Sequence, residues 1–147
     1  MPETPADRID IRPANTSDVE AIQTLIQPFV AAQQLLARTD QEIEWLATHG
    51  FAAIFDQRLV GFAAVEIYSR KLAEIQCLAV AAEMHGRGIG KRLVEQCVQC
   101  ANEHGILELM AISTSDDFLM QCGFDYSLPN QKRALFIHPG EPRNPSP

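Results

Sequence analysis

The sequence predicts a single α/β domain, a mixed β-sheet flanked by helices. Three observations carry that prediction. Short strand-like runs interleave with longer runs of helical period, no internal repeat or linker divides them, and 147 residues that are 46% hydrophobic suit one core rather than two. The expected order is β-α-α-β-β-β-α-β-α-β-β over residues 9–137, and the proline-rich segment 138–147 is expected to be a disordered tail.

Ile9-Asp10-Ile11-Arg12 alternates as a short opening strand. Ser17 as N-cap with Glu20 reaching back fits a capping box, and Ile22, Leu25, Ile26 and Phe29 follow at helical spacing, so a helix is predicted from about residue 17 to 28 or beyond. Thr39 and Glu42 form a second such box, opening a short helix with Ile43, Leu46 and Ala47 on one face and Gly50 as its C-cap. Residues 51–55 and 59–68 read as a hairpin, and 72–80 as a central strand. A glycine-rich turn then opens a helix bearing Leu93, Val94, Cys97, Val98 and Ala101 on one face, stopped near Gly105. A strand over 106–113, a short helix over 115–122 and a strand pair at 124–127 and 134–137 complete the domain.

Charge narrows the function. The formal net charge is -7; residues 1–50 hold eight acids and three bases, and residues 101–147 six acids and three bases. Residues 51–100, with five acids and six bases, are the one segment that is not acidic. Nucleic acid and anionic membranes need clustered positive charge, so neither is expected as the main partner. No apolar run reaches the ~20 residues of a membrane span, and the N-terminus lacks a signal peptide's basic flank and apolar stretch, so a cytoplasmic protein is expected. Cys97 and Cys100 form a CxxC on a mid-helix pattern without a second ligand pair, and the four histidines show no metal spacing. No metal is expected, and the cysteines read as small hydrophobes in a reduced compartment.

The chemistry concentrates between residues 72 and 92. A strand runs into Gly86-Arg87-Gly88-Ile89-Gly90, which opens a helix with Arg87, Lys91 and Arg92 near its start. Unpaired N–H groups and the positive dipole end of a helix cradle phosphate oxygens, and glycine lets a ligand approach the backbone. A tight turn that needs glycine only for packing is the alternative. Two nucleotide motifs fail: a Walker A loop would need glycine at 85 and Ser or Thr at 92, where His85 and Arg92 stand. A dinucleotide fingerprint starting at Gly86 would end on Lys91 rather than glycine.

What remains resembles the pyrophosphate loop [QR]-x-x-G-x-[GA] of the GNAT acetyltransferase superfamily, with His85 in place of the usual Gln or Arg. Glu74-Ile75-Gln76-Cys77-Leu78-Ala79-Val80 resembles that family's central strand, and Phe118-Leu119-Met120-Gln121-Cys122-Gly123-Phe124 its F-Y-x-x-x-G-F helix end. The likeness spans about residues 9–137 and implies a GNAT fold with acetyl-CoA as co-substrate. It implies that the backbone of Leu78, Ala79 and Val80 pairs with pantetheine. His85, Gly86, Arg87, Gly88, Ile89, Gly90 and Lys91 would then hold the pyrophosphate. An amine of pKa near ~10 must lose a proton before it attacks a thioester, and the resemblance makes Glu74 the general base. Glutamate in so apolar a strand is otherwise awkward, the alternative being a strand-end carboxylate paired to Lys71 or Arg70. The family's usual acid, a tyrosine, is replaced by Leu119, and Tyr68 and Tyr126 match neither motif position, so no general acid is assigned.

Within the superfamily, Ile26-Gln27-Pro28-Phe29, then Leu36-Ala37-Arg38-Thr39, and Lys71 three residues before Glu74 are similar to the acetyltransferase domain of bacterial N-acetylglutamate synthase. That likeness implies Arg38 and Lys71 as anchors for a substrate carboxylate, a role that suits the guanidinium fork; the alternative for Arg38 is a solvated surface group near a helix start. Thr114 stands where the synthase carries a further arginine. The expected reaction is acetyl transfer from acetyl-CoA to the primary amine of a small carboxylate-bearing substrate, glutamate or a related amino acid first. The alternatives are a peptide, protein or polyamine N-acetyltransferase, or an acyl-CoA-binding module without catalysis; the resemblance also allows a homodimer.

Overall fold

A computed structural model describes residues 8–113, 116–126 and 135–140. Its elements are β1 (Ile9–Pro13), α1 (Val19–Ala31), α2 (Asp40–Ala47), β2 (Gly50–Phe55), β3 (Arg58–Ile67), β4 (Leu72–Val80), α3 (Ile89–Glu103), β5 (Glu108–Met110) and α4 (Asp116–Gln121). The five strands form one mixed sheet in the order β1-β2-β3-β4-β5. The first four are antiparallel neighbours, and α3 carries the chain across to β5, which runs parallel to β4.

Each face of the sheet is covered. On one face α3 lays Ile89, Leu93, Val94 and Cys97 against Val60, Ala63, Val65, Ala73 and Ile75. On the other, Ile22, Leu25 and Ile26 of α1 and Ile43 and Leu46 of α2 cover Phe62, Ala64, Cys77 and Ala79. The cysteines of the described residues are free, and Cys77, Cys97 and Cys100 are buried in these layers. Burial pushes the Cys97 thiol up to about 12 and that of Cys77 up to about 11.

Local chemistry explains most element ends. Asp56 and Gln57 join β2 to β3 with φ +51 and +63, the two-residue turn whose twist matches a hairpin. Thr39 and Glu42 cap α2 reciprocally, as the sequence predicts. The first cap differs. Asn15 and Asp18, rather than Ser17 and Glu20, form the box, ahead of a single 3-10 turn at Thr16–Asp18, and α1 begins at Val19. Arg12 decides it: both its Nη atoms donate to the Asp18 carboxylate at 2.8 Å, which tethers that residue to β1. Gly50 is not a C-cap but the first residue of β2, where a Cβ would lie 2.8 Å from Phe62 Cε1.

The sheet's decisive irregularity is in β4. In an unbroken strand, residues 73, 75, 77 and 79 would share one face. Ala73 and Ile75 pack on the α3 side, yet Cys77 and Ala79 pack on the α1 and α2 side. The register shows why: Gln76 pairs with Ala64 but Ala79 with Phe62, so Cys77 and Leu78 both stand opposite Ala63. This is a β-bulge, with Cys77 at φ +59. A bulge of this kind bends its strand, and β5 pairs with β4 only along Leu72–Glu74. The predicted strand over 106–113 therefore shrinks to Glu108–Met110. The predicted closing pair is not found where it can be checked. Residues 124–126 and 135–137 hold no strand, and Ser127 and Ala134 lie outside the described residues.

Candidate active site

Beyond Glu74, the β5-side edge of β4 has no strand partner among the described residues. Leu78, Ala79 and Val80 lie on that free stretch, just past the bulge. Backbone groups on this edge that neither β3 nor His85 engages can accept an extended chain as one more strand.

The glycine turn follows at the strand's end. Gly86 and Gly88 have φ +81 and +75, and a Cβ at either would meet nothing within 4 Å, so the loop surface here is open backbone. Gly88 is the N-cap of α3; no side chain caps it, and the first turn holds no acid. The leading N–H groups of α3 therefore keep their capacity for an anion. The side chains have individual fates. Ile89 is buried in the α3-side core, so only its backbone can serve a ligand. At Gly90 a Cβ would lie 3.2 Å from Phe118 of α4, so this glycine also answers to packing. His85 Nε2 lies 2.8 Å from the Val80 carbonyl; the carbonyl only accepts, so this ring nitrogen carries the proton and ties the loop to β4.

The three cations named from the sequence do not behave alike. Arg92 turns away from the loop and donates to the Ile9 carbonyl at 2.9 Å, stitching α3 to β1. Arg87 lies 5.7 Å above the Phe55 ring. Lys91 is exposed and makes no ion pair or hydrogen bond among the described residues.

Before the bulge, Glu74 and Gln76 face the α1 and α2 side. Glu74 is half-buried and pairs with neither Lys71 nor Arg70; its Oε1 accepts a hydrogen bond from the Tyr68 hydroxyl at 2.6 Å. Glu66 stands directly across the sheet from Glu74, and its Oε2 lies 3.2 Å from the same hydroxyl. Arg38 immediately precedes the Thr39 cap. Gln23 of α1 donates to its carbonyl at 2.8 Å, and its Nη2 donates to Gln76 Oε1 at 2.7 Å. Arg38 is thus not a loosely solvated surface group. Lys71 sits exposed in the turn before β4, its N–H held by Ser69 Oγ at 3.1 Å, without an ion pair among the described residues. Motif matching alone gives Tyr68 no role. The usable signal was the hairpin register, which sets residue 66 opposite 74 with Tyr68 in the turn between them.

A shallow hollow of about 830 Å³ along α1, lined by Thr16, Gln23, Pro28 and Asp40 among others, touches neither Glu74 nor the glycine turn. Among the described residues no cluster of His, Cys, Asp or Glu is placed to hold a metal ion, and no helix is long and apolar enough to cross a membrane.

The free stretch of β4 and the uncapped start of α3 beyond the glycine turn suit an extended ligand that ends in an anion. Residues 19–124 match the Acetyltransferase (GNAT) family; the chain belongs to that family and is an acetyl-CoA-dependent N-acetyltransferase. It is 28% identical over 130 residues to the amino-acid acetyltransferase of Mycobacterium tuberculosis, covering 84% of this chain and 73% of that protein. It is 29% identical over 120 residues to an uncharacterized N-acetyltransferase of Chlorobaculum tepidum, covering 82% of this chain and 77% of that one. Among solved structures it is similar to N-acetylglutamate synthase from Neisseria gonorrhoeae complexed with coenzyme A and N-acetyl-glutamate. The TM-score is 0.75 at 28% identity, covering 84% of this chain and 30% of the synthase chain.

Proposed function

We propose that this chain acetylates the primary amine of a small carboxylate-bearing molecule, glutamate or a related amino acid first, within a catalytic domain spanning residues 9–137. The observation that carries the reading is the meeting of Arg38 and Glu74 on one face of β4. A donor-only guanidinium and a carboxylate stand there, joined through Gln76 and Tyr68. An amino acid offers the complementary pair, a carboxylate and an ammonium. The similarity to amino-acid acetyltransferases supports the same substrate class.

Acetyl-CoA supplies the acetyl thioester when bound. The free edge at Leu78, Ala79 and Val80 suits the pantetheine arm. The N–H groups from Gly86 through Gly88 and Ile89 to Lys91 suit the pyrophosphate, with Lys91 and Arg87 adding charge and His85 bracing the loop. Arg38 holds the acceptor carboxylate, and Lys71 is a second anchor on a flexible stem. Glu74 takes a proton from the ammonium, and the neutral amine then attacks the thioester carbonyl carbon. As the C–S bond breaks, the nitrogen gives up its second proton to water and the departing thiolate takes one from water, so amide and thiol form without net proton loss in this step. Leu119, where the family's tyrosine acid would stand, is buried and offers no proton.

The test measures thiol release from acetyl-CoA against the proteinogenic amino acids, polyamines and lysine peptides. Turnover with glutamate or a close relative is expected, with loss of about 100-fold or more in Glu74→Gln. Activity confined to peptides or polyamines overturns the acceptor; CoA binding without any turnover overturns catalysis.

A further inference from the structure

Four side chains on the acceptor face of β4 form a chain whose direction is settled by chemistry. Arg38 can only donate, and its Nη2 donates to Gln76 Oε1 at 2.7 Å. That contact turns the amide so that its NH₂ faces Tyr68, whose hydroxyl oxygen accepts from Nε2 at 3.3 Å. The phenol has one proton to give. Glu74 Oε1 at 2.6 Å takes it in preference to Glu66 Oε2 at 3.2 Å. The chain therefore runs from a residue that only donates to one that, ionised, only accepts.

Location argues against a packing role. Tyr68 is 51% exposed, in the turn after β3, outside both hydrophobic layers. Yet partial desolvation, and then the bond to Glu74, push the phenol above the ordinary tyrosine range. It stays a protonated donor at any pH where an amine acetyltransferase works. It also stands between Glu66 and Glu74, carboxylates directly opposed across two strands, a pairing that repels unless a donor lies between.

We propose that Tyr68 and Gln76 are positioning residues that couple the acceptor anchor Arg38 to the base Glu74. Tyr68 holds Oε1 and so leaves Oε2 as the oxygen that takes the ammonium proton. Gln76 transmits the seating of Arg38 to that arrangement. This rests on the reading of Glu74 as base, and the experiments separate the two.

Steady-state kinetics with the best acceptor compare Tyr68→Phe, Gln76→Leu, Glu74→Gln and the Tyr68→Phe/Glu74→Gln double variant. Tyr68→Phe is expected to lower kcat about tenfold, the loss of one hydrogen bond to a charged group, at unchanged KM for acetyl-CoA. Gln76→Leu is expected to raise the acceptor KM as well, because Arg38 loses its partner. The double variant is expected to be no slower than Glu74→Gln, since Tyr68 acts only through Glu74. A full kcat in Tyr68→Phe, or losses that multiply in the double variant, overturns the proposal. Glu74→Gln that keeps full activity overturns the base itself and the coupling with it.

A second measurement needs no turnover. In a Tyr126→Phe background Tyr68 is the one remaining tyrosine. Ultraviolet difference absorbance then follows its ionisation, which should begin well above the usual midpoint of about 10 and move down towards it in Glu74→Gln. Ionisation that does not respond to Glu74→Gln overturns the proposal.

Discussion

Replacing Cys77 by valine tests the bent strand most directly. In a regular strand the change would be neutral or favourable, because a β-branched side chain fits a buried pleat. The additional methyl, at a position only 7% exposed, would contribute about 0.8 kcal/mol if it fitted. Cys77, however, lies at φ +59. An L-residue there already costs about 1–2 kcal/mol, and branching at Cβ makes the left-handed conformation a true outlier. The chain must keep the bulge with greater strain or straighten β4. Straightening would turn Leu78–Val80 over relative to Leu72–Gln76 and force the larger Leu78 and Val80 into the layer where Cys77 and Ala79 now pack. The net destabilisation should be about 2 kcal/mol, which at this chain length lowers Tm by about 6 °C. Thermal melts followed by circular dichroism read that shift, and titration with CoA should show weaker binding as the free edge is disturbed. Cys77→Ala, which keeps the same Cβ, is the control and should lose only about 1 kcal/mol for the buried sulfur. A valine variant that melts within about 1 °C of wild type would refute the reasoning, because no left-handed residue could then be present.

Two further outcomes follow from the loop and the first cap. His85→Ala should weaken CoA binding about three- to tenfold by isothermal titration, the worth of one ordinary hydrogen bond; His85→Gln should lose less, and an unchanged affinity in the alanine variant counts against the brace to Val80. Asp18→Ala should cost about 1–2 kcal/mol in urea denaturation near neutral pH. The Arg12 guanidinium, and then the Asn15 N–H, hold the Asp18 carboxyl below the usual range. The folded value lies below the unfolded one, so the contribution is complete above about pH 4 and fades as pH falls through the lower, folded value. A gap between variant and wild type that persists unchanged under strongly acidic conditions would contradict that linkage.

The parts legible in the sequence are those where one residue type has one structural use. Glycines at 86 and 88 after an apolar strand point to a backbone loop before a helix, and Thr39 with Glu42 points to a cap. Where a long-range contact competes with a local pattern, the contact decides. Ser17–Glu20 reads as a capping box, but Arg12 on β1 holds Asp18 and the box forms on Asn15–Asp18 instead. The bulge was hidden because it falls on a cysteine rather than a glycine, within a run whose alternation looks unbroken. Arg38 and Glu74 were legible separately. Their connection was not, because Gln76 and Tyr68 become neighbours only once β3 and β4 pair and α2 docks on them.

The bulge also bears on chemical self-compatibility. An enzyme that handles a thioester risks transthioesterification, in which one of its own thiolates takes the acyl group. Cys77 is one residue from the edge that suits the pantetheine arm, so its thiol lies beside the path of the thioester. The change of face at the bulge turns its sulfur into the layer under α1 and α2. Burial raises that thiol to about 11 against the opposing pull of Arg38. At neutral pH only about one molecule in ten thousand then carries the nucleophilic thiolate. The bulge that turns Cys77 inward also keeps this thiol buried and protonated beside the strand edge.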